Sequence, residues 1–303
     1  MPLKIGVLMG GPSEEREVSI STGEAVVRAC QDNGHIVTNL SFYNDYKNHI
    51  GKLANQDIIF NALHGGIGEN GKLQAWMDKN NIKYTGSGAT SSALCMDKVK
   101  SKSIAKLIGV QTPKWQLLFN KDEIVKLQPP FVVKPNDQGS TVGLSIVNEV
   151  NQIPKALNQA FKFSSKVLIE EFINGRELTV PIIGDVAYPI VEIIPSKPLY
   201  DYECKYTFGM SRYICPVQIK DSIKEIISNN TKLLFTQFGC SVYSRADYIL
   251  DDKGVPFFLE MNTLPGLTST SLLPKSALKK GLGFNQLIEK IINLSLQDEA
   301  SSL

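Results

Sequence analysis

The chain has 303 residues, 43% of them hydrophobic and 20% charged, enough to bury the cores of two or three domains. Its formal net charge of +2 leaves no electrostatic footprint for nucleic acid, and no arginine-rich or lysine-rich tract marks a membrane-binding surface. Cys30, Cys95, Cys204, Cys215 and Cys240 are odd in number, widely spaced and never in a CxxC pair, so neither a disulfide framework nor a zinc site is indicated.

The opening run Lys4-Ile5-Gly6-Val7-Leu8-Met9 is too short and wrongly flanked for a signal peptide, and no apolar stretch reaches membrane length. A cytoplasmic protein is expected. Strand-like runs at 5–9, 35–40 and 57–63 alternate with a helical pattern at 19–30, which predicts a parallel sheet in the first third. A lysine-bearing helix is expected over 96–107, after Gly86-Ser87-Gly88. Strands at 131–134 and 143–147 flank a polar, glycine-containing loop. Ile153, Ala156, Leu157 and Ala160 keep the rhythm of an amphipathic helix, and 167–173 returns to strand composition. Two further apolar stripes, Ile223 to Leu234 and Phe284 to Ile292, predict helices whose residues are core. The fold class is therefore α/β, in three units over 1–95, 96–177 and 178–303, without internal repeats.

Near the C-terminal end, 246–250 and 255–259 have strand composition around the turn Asp251-Asp252-Lys253-Gly254, a β-hairpin signature. With the turn between Asp252 and Lys253, position 247 faces 258, and 258, 260 and 262 share one face. Asp247, Glu260 and Asn262 then point the same way. Two carboxylates and an amide oxygen are hard donors of the kind that hold Mg²⁺ beside substrate phosphates. On this segment alone, acids ending a solvated hairpin read equally well.

The loop from Lys134 to Gly143 carries glycines and small hydroxyl residues where a backbone must approach something closely. Its N–H groups suit phosphate oxygens, though a structural turn is the alternative. Lys98 and Lys134 lie on different elements that can converge on a triphosphate. Glu170, Glu171 and Glu177 bracket a strand edge that suits a purine and ribose hydroxyls. Gly10 to Ser19 follows the first strand, where open α/β sheets bind ligands. His64 ends another strand, and the polar loop from Thr263 to Leu272 adjoins the candidate metal. No Walker order and no G-x-G-x-x-G fingerprint occurs, which disfavours a P-loop or nicotinamide enzyme, and no Ser-His-Asp order or histidine cluster supports hydrolase or zinc chemistry.

Taken in order, Gly10-Gly11 through Ser19, Leu63-His64-Gly65, Tyr84 to Gly88, Met96-Asp97-Lys98, Lys134 to Gly143 and Glu260-Met261-Asn262-Thr263 through Gly266 resemble the D-alanine:D-alanine ligases, an ATP-grasp family. The resemblance spans nearly the whole chain. It implies a three-domain ATP-grasp architecture, with ATP between the central and C-terminal units and two Mg²⁺ or Mn²⁺ ions per site. It also implies ligation of two D-alanines through an acyl phosphate, for peptidoglycan precursor synthesis, by a homodimer that binds neither nucleic acid nor membrane. A related ligase with another second substrate, or a nucleotide-binding module without turnover, are the alternatives.

By the same resemblance, Asp247, Glu260 and Asn262 are metal ligands. Lys98, Lys134, Glu170, Glu171, Ile173, Glu177 and Lys205 are nucleotide contacts. Glu15 holds the first ammonium in a network with Ser140 and Tyr206, and His64 lines that pocket. Arg245 and the Gly266 N–H stabilise the oxyanion, and Ser271 and Leu272 receive the second carboxylate. The segment 202–216 resembles a closing loop, and Tyr206, where depsipeptide-forming relatives carry Phe, favours an amine as second substrate. Asn136-Asp137-Gln138 departs from the commoner family pattern.

Overall fold

The computed structural model describes residues 1–43, 45–196, 209–268 and 270–300. In chain order the elements are β1 (Lys4–Gly10), α1 (Arg16–Asp32), β2 (Ile36–Phe42), α2 (Ile50–Ala54), β3 (Ile58–Asn61), α3 (Lys72–Lys79), α4 (Ala89–Met96), α5 (Lys98–Leu107), β4 (Trp115–Leu118), β5 (Phe131–Pro135), β6 (Ser145–Val147) and α6 (Ile153–Ala160). They continue with β7 (Val167–Glu171), β8 (Gly175–Ile183), β9 (Val186–Ala187), β10 (Val191–Pro195), β11 (Ser211–Ile214), α7 (Asp221–Gln237), β12 (Tyr243–Asp251), β13 (Pro256–Asn262), α8 (Leu272–Lys279) and α9 (Phe284–Ala300). Among the described residues, no helix is long and apolar enough to cross a membrane.

β1 is buried from Ile5 to Gly10 because it is the middle strand of a parallel sheet, ordered β2-β1-β3, with helices against it. Its core is closed by the far end of the chain. Leu287, Ile288, Ile291 and Ile292 of α9 pack with Ile5, Val7 and Val26, so the C-terminal apolar stripe completes the N-terminal core.

The central sheet, ordered β4-β7-β5-β6, is antiparallel, and Ala156, Leu157 and Ala160 of α6 cover Phe131, Val133 and Val147. A third sheet runs β11-β10-β8-β12-β13, with β9 on β8. Ile227, Leu234 and Phe235 of α7 bury one of its faces against Val180, Tyr248 and Phe258. The opposite face is left to the cleft.

Three expectations are corrected. The helix expected over 96–107 is α5 and starts two residues later, at Lys98: Met96 ends a separate helix, α4, and Asp97, with extended backbone (φ −80°, ψ 96°), accepts the Lys100 N–H on its side chain as the cap of α5. Residues 211–214, read as part of a loop, form β11 against β10, with Ile193 opposite Tyr213. The hairpin register also differs. Tyr248, not Asp247, stands opposite Phe258, and an irregularity leaves Leu259 without a partner, so Asp247 pairs with Glu260 and Arg245 with Asn262. Such a bulge turns Leu259 and Glu260 both toward the cleft while Phe258 packs in the core.

Candidate active site

The unburied face of the third sheet, the central sheet and the loops after β1 and β3 enclose a cleft of about 640 Å³. Glu15, His64, Lys98, Lys134 and Ser140 line it, as do Glu170, Glu171, Ile173 and Glu177. Arg245, Asp247, Glu260, Asn262, Gly266, Ser271 and Leu272 complete the set expected from sequence. Lys205 and Tyr206 lie outside the described residues.

At the hairpin, Arg245 donates to both Asp247 oxygens, from Nε at 2.9 Å and from Nη2 at 2.8 Å. The Thr179 hydroxyl on β8 donates to Asp247 Oδ1 at 2.6 Å. Glu260 Oε2 lies 3.2 Å from Lys98 Nζ, and Asn262 Oδ1 accepts the Leu264 N–H at 2.8 Å. Among the described residues no group of three or more His, Cys, Asp or Glu suits a metal. The donor set is instead two carboxylates and an amide on one face, which fits a hard divalent cation whose shell is completed by phosphate and water.

The cationic side is built around α5. Lys98 Nζ donates to the Gln138 carbonyl at 2.6 Å, so it spans from the 136–140 loop to Glu260. Asn136, the first residue of the departure noted in sequence, is buried and clamps that loop to α5. Its side chain donates to Asp97 at 2.8 Å and accepts from the Val99 N–H at 3.0 Å. Lys134 Nζ lies 2.5 Å from Glu170 Oε2, and Lys102 forms an ion pair with Oε1 of the same carboxylate. Burial pushes the Lys102 ammonium down to about 8 despite the attraction of Glu170. Burial alone raises a carboxyl, but Lys102 and then Lys134 outweigh it and hold Glu170 below its ordinary value.

At the other end, Ser140 donates a short hydrogen bond to Glu15. His64 is buried between Thr22, whose hydroxyl is 2.9 Å from Nε2, and Glu69, 3.7 Å from Nδ1. Glu69 also accepts the Gly65 N–H at 3.0 Å. Ser140 and Thr141 both occupy the left-handed region, with φ of 50° and 65°, a conformation that non-glycine residues hold only where surroundings enforce it. Ser271 precedes α8 in extended conformation and makes no side-chain cap, so the first N–H groups of that helix are available to an anion at the cleft wall.

Residues 103–293 match the family model described as D-ala D-ala ligase C-terminus. The chain is 40% identical to the D-alanine–D-alanine ligase of Pelotomaculum thermopropionicum, over 98% of each chain. It belongs to the D-alanine–D-alanine ligase family. A solved D-alanine–D-alanine ligase from Bacillus anthracis, complexed with ATP, is similar at a TM-score of 0.89 and 34% identity over 100% of both chains. The VanG D-Ala:D-Ser ligase of Enterococcus faecalis is similar at 0.84 and 26%, covering 97% of this chain and 100% of that one.

Several residues of this ligase-family cleft escaped sequence reasoning. Glu69 follows His64 by five positions in a glycine-rich loop, where a carboxylate so close to a histidine was a usable signal. Thr179 and Glu192 carried none. Glu192 is buried and holds Arg176 through Nε and Nη2 at 2.7 Å each, beside Glu177 on β8.

Proposed function

We propose that this chain joins two D-alanine molecules at the expense of ATP, giving D-alanyl-D-alanine, ADP and phosphate for peptidoglycan precursors. The observation that carries the reading is the convergence of Glu15, Ser140, Lys98, Lys134, Arg245 and Glu260 on one cleft from loops, the start of helix α5 and strands of the central and third sheets. A carboxylate oxygen of the first D-alanine attacks the γ-phosphorus of ATP, and the bond from that phosphorus to the β-phosphate bridge breaks. The neutral amine of the second D-alanine then adds to the acyl carbon and gives up a proton, and the acyl carbon–oxygen bond breaks, so that phosphate leaves with the former carboxylate oxygen.

Glu15, oriented by Ser140, meets the first ammonium, with His64 and Glu69 shaping the floor. Lys98 and Lys134 meet the phosphates, while Glu171, Ile173 and Glu177 meet the base and ribose. Arg245 and the Gly266 N–H face the oxygen that becomes negative as the amine adds. Ser271, Leu272 and the α8 N-terminus receive the second carboxylate. Asp247, Glu260 and Asn262 would hold Mg²⁺ or Mn²⁺, two ions in all, whose charge offsets that of the transferring phosphoryl group. Arg245 would keep Asp247 in place until then.

The working form is inferred to be a cytoplasmic homodimer, and light scattering that returned a monomer at assay concentrations would contradict this. A second reading, a D-alanine:D-serine ligase, is favoured by the VanG likeness. Phosphate release with ATP and Mg²⁺, scanned over D-alanine, D-serine and D-lactate as partners of D-alanine, separates the two. The proposal expects D-alanine to give the highest kcat/KM. Release independent of any D-amino acid refutes both readings.

A further inference from the structure

Lys102 is a lysine with no exposed side-chain surface, in a molecule whose other cleft lysines reach the cavity. It lies one helical turn after Lys98 on α5, so the two share a face. Its ammonium has three N–H groups and three acceptors: the Glu170 carboxylate on β7, the Thr112 hydroxyl at 3.0 Å and the Phe258 carbonyl on β13 at 3.2 Å. Helix, central sheet and third sheet therefore meet at one nitrogen.

The charges around that nitrogen do not balance. Lys98, Lys102 and Lys134 are three cations against two carboxylates: Glu260 pairs with Lys98 and also acts on Lys102, and Glu170 holds Lys102 and Lys134, one on each oxygen. One positive charge is left over. Lys102 is sealed, whereas the Lys134 side chain retains 11% exposure at the cleft, so the surplus is displayed at Lys134. In a partly dry cleft an uncompensated cation attracts an anion far more strongly than it does in water. Without Lys102, Glu170 and Lys134 form a neutral pair, and the attraction fades.

We propose that Lys102 is a positioning residue for the nucleotide: by drawing on the Glu170 carboxylate from behind, it keeps Lys134 from being neutralised and directs its charge at the phosphates. This rests on the reading of Lys134 as a phosphate contact. Lys102 touches neither substrate nor reacting atoms, and its effect passes entirely through Glu170. A purely structural strut between α5 and the two sheets is the rival account, and it does not depend on the charge of Glu170.

The test is steady-state kinetics with ATP varied at saturating D-alanine and Mg²⁺, on the full chain. Lys102→Met is expected to raise the KM for ATP about tenfold or more with kcat changed less than about threefold, and Lys102→Arg to restore most of the loss. In a Glu170→Gln background, adding Lys102→Met should change that KM less than about twofold, because no buried anion remains to be held back. An undiminished effect in that background, or a fall in kcat at constant KM, overturns the proposal. If Lys102→Met fails to fold, Lys102→Gln, which removes the charge but keeps a polar group, replaces it in both backgrounds, since the comparison needs the effect of losing the cation with and without Glu170. Lys134→Met is the control on the underlying reading: an unchanged KM for ATP sinks the phosphate contact itself, whereas a raised KM with an inert Lys102 sinks only the present inference.

Discussion

Glu15 and Ser140, 125 positions apart in sequence, are joined side chain to side chain by a short hydrogen bond across the mouth of the cleft. One follows β1 of the parallel sheet, and the other sits in the loop after β5 of the central sheet, held in a left-handed backbone conformation. The contact fixes where an ammonium can sit relative to the phosphate-facing loop. Proximity of this kind contributes to catalysis only if the carboxylate does not wander.

Gly65 is the position at which that constraint is easiest to break. Its φ is +66°, and a Cβ there would stand 2.8 Å from Glu15 Oε2 and 3.3 Å from the Ser13 side chain. Gly65→Ala is predicted to displace the Glu15 carboxylate from Ser140 and to lower kcat/KM for D-alanine by about tenfold or more, with backbone strain of about 1 kcal/mol in addition. Phosphate-release kinetics over a D-alanine titration check this, and an unchanged kcat/KM would show that the Glu15–Ser140 geometry is not limiting.

Arg245 forks onto Asp247, and both Arg245 and Gly266 line the cleft. Arg245→Ala is predicted to cut kcat by about 10²- to 10³-fold, the usual cost of one oxyanion donor, while nucleotide affinity changes little. Arg245→Lys keeps the charge but not the fork, so it should recover only part of the rate. Calorimetry with ADP beside turnover rates separates the two effects. Equal losses in affinity and rate would move Arg245 from the oxyanion to nucleotide binding.

The Lys102 environment has a pH signature. Burial lowers its ammonium from the ordinary 10.5 to about 8, so between those values the unfolded chain binds the extra proton and the folded one does not. Its contribution to folding stability is therefore complete above pH 10.5 and falls away as pH drops toward 8. Urea unfolding of the wild type minus Lys102→Met should show a difference that grows in favour of the wild type by on the order of 1 kcal/mol or more from pH 8 to 10.5. A difference independent of pH would contradict the depressed value.

On the hairpin, Asn262→Ala removes a neutral oxygen donor and leaves both carboxylates. The N–H of Leu264 then loses its acceptor. The Mg²⁺ concentration giving half-maximal turnover is predicted to rise about tenfold or more with little change in the rate at saturating Mg²⁺. A loss that extra Mg²⁺ does not repair would argue that Asn262 shapes the 263–268 loop and not the cation.

Composition and alternation sufficed for the strands and the first helix of the N-terminal sheet and for the existence of the hairpin, whereas the roles given to the cleft residues came from the family resemblance. Composition and alternation did not suffice for register. A bulge at Leu259 adds one residue with no compositional mark, so counting outward from the turn misplaced Phe258 onto the Glu260 face. Asp97 was readable as an N-cap, which would have moved the expected helix start from 96 to 98. β11 is four residues long, and Tyr213-Ile214 alone is too short a strand signal to stand out from the surrounding segment without its pairing to β10. Lys102 illustrates the wider limit: helical spacing shows that it shares a face with Lys98, yet its acceptors come from residues 112, 170 and 258. Burial of that face is a tertiary fact.

The most direct measurement follows oxygen. D-alanine carrying ¹⁸O in its carboxylate, turned over with unlabelled ATP and Mg²⁺, should deliver one ¹⁸O atom into each phosphate released as D-alanyl-D-alanine forms, because the attacking carboxylate oxygen leaves with phosphorus. Phosphate released without label, or label-free hydrolysis of ATP that ignores D-alanine, would contradict an acyl phosphate built in this cleft.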